Sequence, residues 1–161
     1  MHITQGPQYN GKASKRLHVM AKPIGAACNI DCKYCYYLSK QDLLEYKKGS
    51  SPRMDDETLE AYIQQYIEGQ NTPEIIFSWQ GGEPTMLGLA YFERVVELQK
   101  KYQPEGVLIS NDLQTNGTLL NDDWAEFLAK NDVSPLSFHN FQAILEQHPI
   151  ELERVESGKY S

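Results

Sequence analysis

Cys28, Cys32 and Cys35 are the only three cysteines in the chain, and they fall within eight consecutive positions. Three residues separate the first pair and two separate the second. Thiolates this close on one loop can wrap a single metal centre, and soft sulfur ligands favour zinc, Cu(I) or an iron–sulfur cluster. A closed zinc site wants a fourth protein ligand. His18 is the nearby candidate, but it lies inside a strand pattern and is read as a strand position. A [4Fe–4S] cluster normally takes four cysteines; held by three, it keeps one iron open to a small molecule. The bland alternative is three buried structural cysteines, which chance would seldom crowd into one loop.

Two other stretches could meet the same centre. Gln80-Gly81-Gly82-Glu83-Pro84 combines two glycines, which let a backbone approach a ligand closely, with a carboxylate suited to an amino group. Gln114-Thr115-Asn116-Gly117 ends a second polar, glycine-bearing run. Each alone is a weak signal, since strand-to-helix turns often look like this. Tyr34, Tyr36 and Tyr37 around Cys35 are either core aromatics or walls that shield a cluster and stack on a ligand.

The elements that must carry these stretches follow from periodicity. Leu17 to Met20 reads as a short buried strand closed by Pro23, and Gln41 to Lys48 as a short helix ending at Gly49. Asp55 caps a helix with Leu59, Tyr62, Ile63, Tyr66 and Ile67 on one face, stopped by Gly69. Glu74 to Trp79 is a β-branched and aromatic strand. A helix from Leu89 to Tyr102 turns Phe92, Val95, Val96 and Gln99 inward, and Pro104 and Gly106 end it. Val107 to Gln114 is the next strand, and Asn121 caps a helix carrying Trp124, Phe127 and Leu128. Strand and helix in alternation predict a parallel sheet with helical crossovers. Ligands in such folds sit at the carboxyl ends of the strands. The cysteine loop, the glycine pair and the Asn116 loop each follow a strand, so all three should face one cavity. After Asn131 the pattern fails: Asp132-Val133-Ser134-Pro135 breaks it, and Phe141 to Glu146 is at most a short helix.

Composition limits the partners. The chain of 161 residues is long enough for one domain with a core. Its 22 acidic and 15 basic residues give a net charge of −7, which argues against a phosphate-held nucleic acid. The lysine pairs Lys47-Lys48 and Lys100-Lys101 sit near helix ends and read as solvated surface. No apolar run is long enough for a membrane span. The polar start, residues 1–16, lacks a signal-like apolar stretch and reads as a flexible lead-in. A cytoplasmic location is therefore expected, as few thiols without a leader suit a reducing compartment. On that expectation the sequon Asn116-Gly117-Thr118 carries no meaning.

With these residues assembled, the chain resembles the radical S-adenosylmethionine (SAM) enzymes. The match is the CxxxCxxC loop of Cys28, Cys32 and Cys35, followed by GGEP after the next strand. The stretches MAKPIGAACNIDCKYCYY, FSWQGGEPTMLG and LQTNGTLLNDDWAEFLAKN look more narrowly like the N-terminal part of anaerobic sulfatase-maturating enzymes, over residues 17–131. The resemblance implies an α/β fold, a partial (β/α) barrel, with three or four strand–helix units present. It implies a [4Fe–4S] cluster on the three cysteines, with SAM on the open iron. Reductive cleavage of SAM would give a 5′-deoxyadenosyl radical that oxidises a cysteine or serine of a sulfatase peptide to formylglycine. By position, Tyr34 would contact the adenine through its backbone. Gly81, Gly82, Glu83 and Asn116 would line SAM, with Gly82 and Glu83 at its amino group. Tyr37 and Gln80 would face the peptide. Partners implied are the sulfatase and an electron donor such as flavodoxin or ferredoxin.

Residues 132–161 depart from the family pattern. The serine and Asp-Gly pair of the next family strand, the later arginine, the auxiliary-cluster cysteines and the downstream carboxylate base have no match there, and Ser134-Pro135 is not that pattern. The chain thus reads as residues 17–131 of a radical SAM core with a divergent tail, and no catalytic base is identified. The alternatives are a non-catalytic iron–sulfur or zinc-binding module, or an inactive fragment.

Overall fold

The computed structural model describes residues 11–13, 15–33, 35 and 53–135. Among the described residues, four parallel strands lie in chain order: β1 (Met20–Ala21), β2 (Glu74–Trp79), β3 (Leu108–Leu113) and β4 (Val133–Pro135). Three helices alternate with them: α1 (Asp56–Glu68), α2 (Leu89–Tyr102) and α3 (Asp122–Lys130). The expected helix over Gln41 to Lys48 and the short one at Phe141 to Glu146 lie outside the described residues.

Local chemistry sets the helix ends. The Asp55 carboxylate accepts from the Thr58 N–H at 2.8 Å, and Asn121 accepts from the Trp124 N–H at 3.0 Å, each satisfying an orphan donor of a first turn. Asp56 and Glu57 at the start of α1, and Lys100 and Lys101 at the end of α2, complement the helix dipoles. Lys101 also pairs with Glu60 of α1 at 2.6 Å.

Alternation along β2 points Ile75, Phe77 and Trp79 to one face, where all three are buried. Tyr66 of α1 meets Phe77 edge-on at 4.9 Å, and Phe92 of α2 meets Trp79 at 6.2 Å. Trp124 of α3 then packs on Phe92 at 5.4 Å. One aromatic chain therefore ties all three helices to the same side of the sheet. A doubly wound sheet would carry helices on both sides. Sequential strand order with one-sided helices is instead the partial (β/α) barrel expected from sequence. Each fully buried large apolar side chain stabilises this layer by about 1.5–3 kcal/mol.

A polar lock fixes register inside it. Asn111 of β3 accepts from Trp79 Nε1 and from Gln99 Nε2, both at 2.8 Å, and returns a bond to Gln99 Oε1 at 2.9 Å. All three groups are buried and satisfied, so a slip of β3 against β2 would orphan them.

The sequence expectations hold for β2 and α2 residue for residue, and shift by one position at each end of β3. On α2, Tyr91 and Leu98 are buried as well, and Val96 is only half-buried. Two segments differ. The buried strand expected over Leu17 to Met20 shrinks to Met20–Ala21, and Leu17, His18 and Met20 are exposed. Side chains of α1 and the turn after it hold this backbone instead. Gln70 donates to the Leu17 carbonyl at 2.6 Å and accepts its N–H at 3.2 Å. The Tyr66 hydroxyl accepts from the Val19 N–H at 3.3 Å. At the other end, the sheet does not stop at Asn131. Asp132, at φ 52°, turns the chain directly into β4. Aspartate tolerates this left-handed conformation better than most residues, and Pro135 can occupy a strand at the outer edge of a sheet.

Candidate functional site

The carboxyl ends of β1, β2 and β3 are bonded into one rim. The Gln80 N–H reaches the Ala21 carbonyl at 2.8 Å, and the Gln114 N–H reaches that of Trp79 at 3.0 Å. The stem of the cysteine loop then lies directly on the glycine pair: Gly82 N–H donates to Gly25 O at 2.7 Å and Glu83 N–H to Ala27 O at 2.8 Å. The glycines are required by this contact. A Cβ on Gly81, at φ 129°, would stand 2.6 Å from the Gly25 carbonyl oxygen, and one on Gly82 would overlap the Ala27 carbonyl.

Glu83 is fully buried and ties two strand ends together. Its Oε1 accepts from the Thr85 N–H at 3.0 Å, the Thr85 hydroxyl at 2.5 Å and the Thr115 hydroxyl at 2.7 Å. Its Oε2 accepts from the Asn116 N–H at 2.6 Å. Four donors compensate a carboxylate that burial alone would not tolerate. Pro84 opens a single 3-10 turn, Pro84–Leu87, with Glu83 as its cap.

Asn116 carries the network to the cysteines. Its amide lies 3.7 Å from Cys28 Sγ and donates to Asn29 Oδ1 at 2.9 Å. Asn29 in turn donates to the Thr118 hydroxyl at 2.8 Å. Cys28, Cys32 and Cys35 stand as half-buried thiols on this loop, and the Cys35 N–H donates to Cys32 O at 2.9 Å. Burial raises the Cys28 thiol above its ordinary pKa, while N–H donors from Ile30 and Asn116 act the other way.

Among the described residues, no group of three or more His, Cys, Asp or Glu side chains is gathered to hold a metal ion. The donor set nonetheless fits a thiophilic cluster: three thiols on one loop at a barrel rim, the first already offered N–H bonds of the kind that stabilise ligating sulfur. His18 stands apart from that set in its bonding, its Nε2 lying 3.2 Å from the Ser78 hydroxyl on the sheet face.

Of the residues singled out from sequence, Cys28, Cys32, Cys35, Gln80, Gly81, Gly82, Glu83 and Asn116 all lie on these three strand-end loops; Tyr34 and Tyr37 lie outside the described residues. Sequence reading gave no role to Asn29, Thr115 or Thr118; the Asn29 contacts join loops about 90 residues apart, the Thr115 bond to Glu83 joins loops 32 apart, and neither leaves a local pattern. Among the described residues, no helix is long and apolar enough to cross a membrane.

Residues 23–148 match the family model of the radical SAM superfamily, and the chain belongs to that superfamily. Within it, the chain is 49% identical over 119 residues to a serine-type anaerobic sulfatase-maturating enzyme of Bacteroides thetaiotaomicron, covering 74% of this chain and 28% of the relative. It is 42% identical over 115 residues to a cysteine-type enzyme of Clostridium perfringens, covering 71% and 30%. The solved structure of native anSMEcpe with AdoMet and a peptide bound superposes with a TM-score of 0.59 at 39% identity, over 70% of this chain and 28% of that one. The chain thus spans less than a third of the length of these relatives.

Proposed function

We propose that this chain carries the cofactor end of a radical SAM oxidoreductase of the sulfatase-maturating kind. Cys28, Cys32 and Cys35 would hold a [4Fe–4S] cluster, which would supply the single electron for reductive cleavage of SAM to methionine and a 5′-deoxyadenosyl radical. The protein's own contribution is placement and exclusion of water. Gly81, Gly82 and Glu83 line the methionine end of SAM through backbone carbonyl oxygens, because the Glu83 carboxylate already takes four donors and the Gly82 and Glu83 N–H groups are bonded to Gly25 and Ala27. Asn116 closes that side beside Cys28, and the Tyr34 backbone meets the adenine. Gln80 and Tyr37 face the substrate, a cysteine or serine of a sulfatase peptide that is oxidised to formylglycine. Electrons come from a flavodoxin- or ferredoxin-like donor. No catalytic base is assigned within this chain.

The observation that carries the reading is the fused rim: the cysteine loop, the Gly-Gly-Glu turn and the Asn116 loop are hydrogen-bonded to one another at one end of the sheet. Anaerobic reconstitution with iron and sulfide tests it. Expected is about four irons per chain, SAM binding to the reconstituted chain, and loss of iron in Cys32→Ala. A chain that retains no iron, or takes up zinc alone, overturns the reading.

A further inference from the structure

Parallel strands covered on both faces read as near-continuous apolar runs, and barrel interiors are usually filled by branched side chains. The face of this sheet turned away from the helices departs from that. Register sets Met20, Ser78, Asp112 and Ser134 side by side across β1, β2, β3 and β4. One step back, Ile76 lies beside Ser110. These groups already converge: His18 Nε2 stands 3.2 Å from Ser78 Oγ, which donates to Asp112 Oδ2 at 3.4 Å. Ser78 is buried, Asp112 half-buried, and His18 and Ser134 are exposed. A carboxylate can accept about four hydrogen bonds, so Asp112 keeps capacity for a ligand after taking the serine hydroxyl.

This row is three strands wide and polar where apolar packing is the rule, on the sheet face opposite the helices. Nothing in the folding of the helix layer calls for it, because Phe77, Trp79, Asn111 and Leu113 supply that side. The row sits two residues below Gln80 along β2, about 7 Å at strand rise, so it underlies the rim on the lumen side. We propose that His18, Ser78, Asp112 and Ser134 form the floor of the substrate cavity and bind a hydrogen-bond donor of the peptide, an amide N–H or a hydroxyl. The proposal rests on the SAM reading of the rim, and it extends the substrate's contacts from Gln80 on the rim to the layer beneath.

The test uses the full chain, reconstituted anaerobically, with three readouts: iron content, SAM affinity, and affinity for a fluorescently labelled sulfatase peptide bearing the target cysteine. Asp112→Asn and Ser78→Ala are both mild in shape. Each should weaken peptide binding about tenfold, the loss of one hydrogen bond to a charged group, with iron and SAM affinity unchanged within about twofold. Peptide affinity that is absent in the parent, or equal in parent and both variants, overturns the proposal and leaves the SAM reading standing. SAM affinity that falls in step with peptide affinity also overturns it, by giving the row to the cofactor. A parent without iron or SAM binding removes the rim reading and this proposal together.

Discussion

Gly82→Ala probes the contact on which the rim depends. An alanine Cβ at this position would lie inside contact distance of three backbone atoms, the carbonyl oxygen and carbon of Ala27 and, at 2.7 Å, the carbonyl carbon of Ala26. None is the tip of a flexible side chain, so the cysteine-loop stem must move as a body. That movement breaks Gly82 N–H to Gly25 O and Glu83 N–H to Ala27 O. Two hydrogen bonds at about 0.5–1.5 kcal/mol each, plus about 1–3 kcal/mol of overpacking strain, give a loss of about 2–6 kcal/mol. That is a large share of a typical domain's total stability. Gly106→Ala is the control: it has φ 76° but open space around the added Cβ, so only the left-handed strain of about 1–2 kcal/mol applies. Urea unfolding followed by circular dichroism measures both, and iron uptake after reconstitution measures the loop. Gly82→Ala should lose more stability than Gly106→Ala and bind less iron. Equal losses with equal iron would refute the idea that the glycine pair exists to seat the cysteine loop.

Two further outcomes follow from the same geometry. Glu83→Gln keeps the size of the buried side chain but turns an NH2 donor toward the donors of Thr85, Thr115 and Asn116; it should cost about 2–4 kcal/mol in chemical unfolding. Glu60 has its pKa lowered, chiefly by the Lys101 hydrogen bond and then by that of Tyr102. A depressed folded pKa gives stability that is full above the ordinary carboxylate value and lost as pH falls through the lower folded one. Between about pH 5 and pH 3 the parent's Tm should therefore fall more steeply than that of Glu60→Gln, as read by thermal scans.

The helix layer was legible in the sequence because its signals are local. Caps at Asp55 and Asn121, the periodic faces of α1 and α3, and the β-branched run Glu74–Trp79 each lie within one segment. The first and last strands were not, for two different reasons. Around β1, four apolar or aromatic-compatible positions suggested a buried strand, yet the backbone of Leu17 and Val19 is held by Tyr66 and Gln70, residues about 50 positions away. At β4, a three-residue strand with one apolar side chain and a proline carries too little pattern to be seen. Only pairing with Asn111, Asp112 and Leu113 makes it a strand.

The sequence by itself determined which residues can do chemistry here: three thiols at metal-binding spacing, two glycines free of side chains, and a polar loop after each strand. Those properties are covalent and local, so no fold is needed to read them. Tertiary structure alone decided how they are used. It turned the glycine pair toward Gly25 and Ala27, spent the Glu83 carboxylate on joining β2 to β3, and lined up Ser78, Asp112 and Ser134 through strand register. Each of these is a contact between segments far apart in the chain, fixed by packing and hydrogen-bond satisfaction that no single segment contains.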